Sequence, residues 1–77
     1  GKKAKTYLLR NEFSTSSNAT YYRDHYLHRG WDVAIDQPVK GGHVLSFRRS
    51  GESVDIVVQH IGEGTYIVGN TVKPGFF

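Results

Sequence analysis

Histidines are the only conventional acid–base candidates in this 77-residue chain, which has four of them and no cysteine. His43 and His60 matter most, because the hairpin predicted below places both imidazoles at one end of one sheet face, at diagonal positions about 7 to 8 Å apart. Two such rings could act as acid and base in RNA cleavage. They could equally close the open end of a hydrophobic core, with a ring edge on the sheet and a nitrogen toward solvent. We expect the core-closing role and keep catalysis by His43 and His60 as the alternative.

The remaining two histidines do not predict a metal site. His25 and His28 are three residues apart on a predicted helix, a spacing that lets two imidazoles share a metal ion, but no third ligand stands at a matching spacing. The lack of cysteine also excludes disulfides, zinc-thiolate sites and thiol nucleophiles. The sequence contains neither a glycine-rich phosphate loop nor a pair of acid–base carboxylates. We therefore expect no metal, no cofactor and a non-enzymatic protein.

The elements that would position these side chains follow from cap and turn signals. A strand is predicted over residues 6–13, and the polar run that follows it is typical of a helix start at residues 16–18. Gly30 ends the helix, because glycine adopts the left-handed conformation after the last turn at little steric cost, and Trp31 should then fold back onto that turn. Further strands are predicted over residues 31–36, 43–49, 52–60 and 65–70, separated by loops and turns that contain glycine.

Two patterns predict which side chains share a face of the sheet. In the second strand, Trp31, Val33 and Ile35 alternate with Asp32, Ala34 and Asp36, so the first three should be buried and the others should point away. In the hairpin around Ser50-Gly51, the predicted opposite pairs are Phe47 with Val54, Leu45 with Ile56 and His43 with Val58. This register gives both hairpin strands an apolar row on the same face.

The order β-α-β-β-β-β predicts an α+β domain in which one helix packs on one face of an antiparallel sheet of four to five strands. One helix covers one face only, so the other face meets solvent or a partner. Val57 and Ile61 fall on that uncovered face, which makes it a candidate contact surface. Together with Phe76 and Phe77 at the C-terminus, they form the predicted binding surface for a protein partner.

The net charge of +3 and the pI of about 9.4 invite nucleic acid as a partner. Lys2, Lys3 and Lys5 account for this excess, since without them seven basic residues remain against seven acidic ones. The predicted divisions are a flexible basic tail at residues 1–5, a single domain at 6–72 and a C-terminal tail at 73–77. A neutral body disfavours nucleic acid, because phosphate contacts dominate such binding. No apolar run approaches the about 18 residues of a membrane span.

Part of the chain resembles the HicA-type mRNA interferase toxins. The shared features are a helix that ends in Gly30-Trp31, a glycine pair followed by His43, a strand with Phe47 and the run Val57-Val58-Gln59-His60. This resemblance implies a fold similar to a double-stranded-RNA-binding domain, with His43 as the catalytic residue. That family continues with a C-terminal helix, where this chain has a β-rich run at residues 66–72.

A longer stretch, residues 6–72, resembles small modules of bacterial secreted and envelope proteins of unknown function. The matching residues are the helix run from Tyr21 to Trp31 and the strand motif from Leu45 to Arg49. This resemblance implies an architecture and a periplasmic or secreted location, without an activity. Our leading expectation is therefore a non-enzymatic interaction module with a protein partner. The alternative is a small RNA-binding or RNA-cleaving domain that uses His43.

Overall fold

The computed structural model describes residues 1–75, which form one α-helix and five β-strands. In chain order they are β1 (Lys2–Asn11), α1 (Thr15–Leu27), β2 (Asp32–Val39), β3 (Gly42–Arg49), β4 (Glu52–Ile61) and β5 (Gly64–Pro74). All neighbouring strands are antiparallel, and their order across the sheet is β1-β5-β4-β3-β2. The helix packs on one face, chiefly against β3 and β4. The predicted α+β class is confirmed.

The hydrophobic core fills the layer between α1 and the sheet. Its fully or almost fully buried strand residues are Leu45, Phe47, Val54, Ile56, Val58 and Ile67. Ala19 of the helix and Trp31 complete this layer. We call this side of the sheet the covered face and the opposite side the outer face.

The polar run before α1 and Gly30 after it bound the helix, although the helix begins earlier than predicted. The Ser14 hydroxyl accepts a hydrogen bond from the Ser17 amide at 2.9 Å, so the helix begins one residue after Ser14 and slightly before its predicted start. At the other end, Gly30 has a φ of +80°. The Trp31 amide donates to the Tyr26 carbonyl at 3.1 Å, and the two rings meet edge to face with centroids 5.3 Å apart. The predicted return of Trp31 onto the last turn is confirmed.

The hairpin of β3 and β4 has the predicted register. Ser50 and Gly51 form its two-residue loop with φ values of +43° and +80°, the left-handed conformation that a type I′ turn requires. The opposite pairs are Phe47 with Val54, Leu45 with Ile56 and His43 with Val58. The turn thus aligns both strands so that one face of the hairpin is apolar.

β2 departs from the predicted alternation at a β-bulge. Val33 pairs with Phe47, and Ile35 pairs with the adjacent β3 residue Ser46, so Ala34 has no partner in the register. The extra residue reverses the alternation beyond it. Ile35 therefore lies on the outer face and Asp36 on the covered face. The prediction that Ile35 shares a face with Val33, and that Asp36 points away from it, is wrong for this reason. Val33 lies on the covered face but is 42% exposed, so its predicted burial is also wrong.

β1 is longer at its N-terminal end than the sequence predicts. It pairs with β5 without interruption, from Lys2 opposite Pro74 to Asn11 opposite Thr65. Residues 2–5, which we expected to be a flexible tail, are therefore part of a strand, and the end of β5 includes two residues of the expected C-terminal tail. Backbone hydrogen bonds of a ladder do not depend on side-chain polarity, so a lysine-rich segment can pair as well as an apolar one.

Tyr7 connects β1 to the helix across a glycine. Its ring lies over Gly69 of β5, where an added β-carbon would collide with the ring. Its hydroxyl interacts with the Tyr26 side chain of α1. Burial, reinforced by the neighbouring tyrosines, raises the pKa of Tyr26 to about 12. Gly69 therefore provides the space through which an edge strand reaches the helix layer.

Candidate functional site

His43 lies on the covered face near the start of β3, where the bulge in β2 brings Asp36 beside it. The His43 Nε2 atom is 2.6 Å from Oδ1 of Asp36, and the His43 side chain is only 15% exposed. The Asp36 pKa is lowered to about 2, so its carboxylate is ionised at neutral pH. Nε2 of His43 must then carry a hydrogen atom, with which it donates a hydrogen bond to the carboxylate. Nδ1 is the nitrogen that remains for other chemistry.

Arg23 of α1 neutralises the same carboxylate. Its Nε donates to Oδ2 of Asp36 at 2.5 Å, and its Nη2 donates to Oδ1 at 2.9 Å. These two hydrogen bonds are the main cause of the low Asp36 pKa; partial burial opposes them, and His43 lowers the pKa further. The same contact raises the pKa of Arg23. One carboxylate therefore links the helix, β2 and β3.

His60 shares the covered face and the same end of the sheet with His43, as the register predicts. It is exposed, and its amide donates to the Gly41 carbonyl at 2.8 Å. Its neighbours across a shallow groove are Ser14 and Thr15 at the start of α1. Within residues 1–75, no hydrogen bond joins the two imidazoles.

The chemistry available at this end is that of a single oriented histidine. A carboxylate that fixes one ring nitrogen leaves the other free to exchange a proton, which is the arrangement of the hydrolytic triads. Here the carboxylate is also paired with Arg23, and that pairing weakens the support it gives to a charged imidazole. The arrangement therefore fits a charge-paired connection between helix and sheet better than an acid–base pair.

Asp36 and Arg23 were not among the residues predicted for a site. They are 13 residues apart on different elements, and simple alternation would turn Asp36 away from the helix. Only the bulge at Ala34 points it inward, and a bulge without glycine leaves no clear mark in the sequence. The one usable signal was charge complementarity between a helix arginine and an aspartate of the next strand.

The outer face of the sheet carries an apolar row that nothing in residues 1–75 covers. The register places Leu8, Val68, Val57 and Val44 side by side on β1, β5, β4 and β3. Leu8 is 65% exposed, Val68 42% and Val57 41%. We call these four residues the outer row.

Two of the residues predicted for binding lie on this face. Val57 is a member of the outer row, and Ile61 is exposed farther along β4 on the same side. Phe76 and Phe77, the other two, lie outside the described residues. Alternation within one strand was sufficient to place Val57 and Ile61 on the face opposite the helix.

No family model, curated protein or solved structure matches this chain. Within residues 1–75, no helix is long and apolar enough to cross a membrane. The same residues bring together no group of three side chains that could hold a metal ion. The functional interpretation therefore depends on the surfaces of the chain itself.

The polar side chains beside the outer row contact one another through hydrogen bonds, an ion pair and a cation–π contact. The Ser46 hydroxyl donates to Oδ1 of Asp55 at 2.5 Å. Arg48 Nη1 donates to the Ser46 hydroxyl at 2.6 Å and to the same Asp55 oxygen at 3.2 Å. On the other side of the row, the Arg10 guanidinium lies over the Tyr66 ring, 5.9 Å from its centroid. The outer face thus has an apolar centre with internally paired polar groups around it.

Proposed function

We propose that this protein is a non-enzymatic interaction module whose contact surface is the outer face, and that a second copy of the chain occupies this face. The outer row supports the proposal, because its members on four adjacent strands remain uncovered by the helix. A contiguous exposed apolar patch on a small protein is typical of an interaction site. The resemblance to bacterial secreted and envelope modules supports a location outside the cytoplasm.

The size of the outer face is sufficient for a dimer of two sheets packed face to face. Five strands about 4.8 Å apart, each with about eight residues that rise about 3.3 Å, present a face of roughly 600 Å². Two such faces would bury about 1,200 Å², which is the lower limit for specific interfaces. An apolar centre with a polar surround is also the usual anatomy of an interface.

The centre of the outer face carries little net charge, which favours a second copy of the same surface over a charged partner. Arg48 and Asp55 neutralise each other beside the outer row, so the centre of the face presents no strong field of either sign. Two copies related by a two-fold axis would bring one outer row against the other. Such contact would bury no charge of the outer row, because its members are aliphatic. Arg48 and Asp55 beside the row already pair with each other.

The experiment is sedimentation equilibrium from about 1 µM to about 1 mM, a range that covers weak and moderate dimers. The test variant is Val57→Thr/Val68→Thr, which keeps side-chain shape and β-propensity but puts hydroxyls into the contact. The matched control is Val33→Thr, because Val33 is 42% exposed on the covered-face side. We expect a wild-type dimer, a dissociation constant raised at least about tenfold in the double variant, and wild-type behaviour in the control. A wild-type monomer at the highest concentration, or equal weakening by the control, would overturn the proposal.

His43 supports the second candidate function, RNA binding or cleavage. The observation that favours it is the 2.6 Å hydrogen bond from His43 to Asp36, which orients the imidazole as catalytic carboxylates do. The test compares RNA cleavage by the wild type and His43→Ala, with His28→Ala as a control at an exposed helix end. Cleavage lost only in His43→Ala supports this candidate, and absent or equal cleavage in all three proteins removes it.

A further inference from the structure

Basic residues are concentrated at the end of the molecule where β1 begins and β5 finishes, which we call the basic end. The α1–β2 loop and the β3–β4 turn lie at the same end, as the strand directions require. Seven of the ten lysines and arginines are located there: Lys2, Lys3, Lys5, Arg29, Arg48, Arg49 and Lys73. Of the seven acidic residues, three lie there: Asp32, Glu52 and Asp55, the last paired with Arg48. Seven positive against three negative charges give this end +4, which leaves −1 for the rest of a chain of net charge +3.

In the part of the chain that the structure describes, five of these seven cations form no ion pair. Two of the arginines form ion pairs at 3.2 Å. Within residues 1–75, the four lysines and Arg29 form none. Lys3 directly faces Lys73 across β1 and β5, and like charges at opposite positions destabilise a sheet. The Lys3–Lys73 pair opposes folding, and three further cations of this cluster form no ion pair within residues 1–75, which favours an anionic ligand.

The basic end includes a short two-stranded ribbon, formed by β1 and β5, that lies beside the β3–β4 turn. Pairing of β4 with β5 stops at Ser53, whereas pairing of β1 with β5 continues to Lys2 and Pro74. The register gives Lys3 and Lys73 the same side of the ribbon as the covered face. The lysines are therefore held on a strand pair at fixed spacing, unlike charges on a flexible tail.

A groove of about 280 Å³ lies between this ribbon and the C-terminal end of α1. Arg29 lines it from the helix side, and Thr71 and Lys73 line it from β5. Arg49 also borders the groove, with its guanidinium carbon 4.3 Å from the centre of the Trp31 ring. Positive charge is thus present on both sides of a concave surface.

We propose that the basic end binds the phosphate backbone of a nucleic-acid double helix, through the ribbon lysines and Arg29. A double helix is a rod of closely spaced negative charge, so one backbone phosphate can enter the groove while neighbouring phosphates contact the ribbon lysines. Single strands bind mainly by stacking bases on exposed aromatic rings. The aromatic rings at this groove are not free for stacking, since Trp31 is only 8% exposed and Tyr26 stacks on Phe47.

The test is fluorescence anisotropy with DNA and RNA duplexes of about 20 base pairs, between about 50 and 200 mM salt. Each phosphate contact contributes about 0.9 to the slope of log affinity against log salt for duplex DNA. The variant Lys3→Gln/Lys5→Gln/Lys73→Gln should therefore lower that slope by about 2 to 3. Binding to either duplex with this change in slope supports the proposal, because both present the same backbone.

A matched pair of single variants tests the location of the site. Lys73→Gln removes one charge at the basic end, and Lys40→Gln removes one exposed charge at the opposite end. We expect Lys73→Gln to lower the slope by about 0.9 and Lys40→Gln to leave it unchanged. Thermal unfolding of each variant confirms that it is folded, and removal of the Lys3–Lys73 repulsion should not lower its midpoint.

Three results would overturn the proposal. The first is an equal effect of Lys73→Gln and Lys40→Gln, which would show that net charge alone attracts the probe. The second is tighter binding to the single strand than to either duplex. The third is binding to vesicles that contain phosphatidylserine without binding to a duplex. The outcome is independent of the proposed dimer, because Val57→Thr/Val68→Thr should keep duplex binding and the lysine variants should keep the dimer.

Discussion

The two faces of the sheet are both apolar along their centres, but their surroundings differ. On the covered face, Leu45, Ile56 and Val58 are 0% exposed. On the outer face, Val57 and Val68 are 41% and 42% exposed, although they belong to β4 and its neighbour β5. Both sets of residues belong to strands that are hydrogen-bonded to their neighbours. The difference between them is α1, which covers one face only.

This difference separates what stabilises the fold from what is available for contact. Full burial of an aliphatic side chain stabilises by about 1.5–3 kcal/mol, whereas a cross-strand pair on an open face contributes about 0.2–1 kcal/mol. The covered face therefore accounts for most of the stability of a single copy. The apolar character of the outer row exceeds what a single copy needs to fold, which is why we assign the contact surface to it.

The largest predicted effect is on the covered side, at Trp31. Trp31 is 8% exposed, stacks edge to face on Tyr26 and lies beneath the Arg49 guanidinium. Trp31→Ala should lower the free energy of unfolding by about 3–5 kcal/mol, because it removes a large ring and leaves a cavity. Urea unfolding followed by circular dichroism measures this without relying on tryptophan fluorescence.

Trp31→Phe is the control, since it keeps an aromatic ring against the last helical turn and should lose much less stability. A loss below about 1 kcal/mol in Trp31→Ala would be typical of a surface position. That outcome would mean that the helix end and its return onto the sheet do not form part of the core. The contrast between the two faces would then be smaller than the exposed fractions indicate.

Most of the fold could be predicted because its signals are local. Ser14 to Ser17 and Gly30 mark the ends of the helix, and Ser50-Gly51 sets the hairpin register by turn geometry. The extension of β1 to Lys2 was not predicted, because its partner β5 is more than 60 residues away and its own residues show no apolar alternation. Pairing between distant edge strands depends on backbone groups that every sequence provides.

The site was predictable only where alternation continued without interruption. His43 and His60 were placed correctly by the hairpin register, and Val57 and Ile61 by alternation in one strand. Asp36 was placed on the wrong face, since the bulge in β2 adds one residue to the count. A single inserted residue reverses every side chain beyond it, so an error of one position hid the partner of His43.

The second prediction concerns the loss of stability when an ion pair is removed from each face of the sheet. Asp36→Asn removes the ion pair with Arg23 and the contact with His43, where the Asp36 side chain is 24% exposed. We expect a loss of about 1 kcal/mol at neutral pH, because partial solvent exposure screens the pair. Asp55→Asn is the matched variant on the outer face, where the carboxylate is 46% exposed, and its loss should be smaller. Urea unfolding of both variants gives the comparison.

The Asp36 pair also predicts a dependence on pH. The pKa of Asp36 falls from its ordinary 3.8 to about 2 in the folded protein. The folded state therefore binds fewer protons than the unfolded state, and the stabilisation is present above pH 3.8 and lost as pH falls toward about 2. The stability difference between wild type and Asp36→Asn should shrink over that range. A difference that stays constant from neutral pH to about 2 would contradict the assignment.

The smallest predicted effect is at Leu8, and it tests the comparison of the two faces with one substitution. Leu8 is 65% exposed and Leu45 is 0% exposed. At protein concentrations below those of any self-association, Leu8→Ala should change the free energy of unfolding by less than about 0.5 kcal/mol, as expected for a surface position. Leu45→Ala should cost about 2–5 kcal/mol. At higher concentrations, Leu8→Ala should weaken association, because it shortens the outer row at one end. A large loss of stability in dilute Leu8→Ala would mean that the outer row is already part of the core of a single copy.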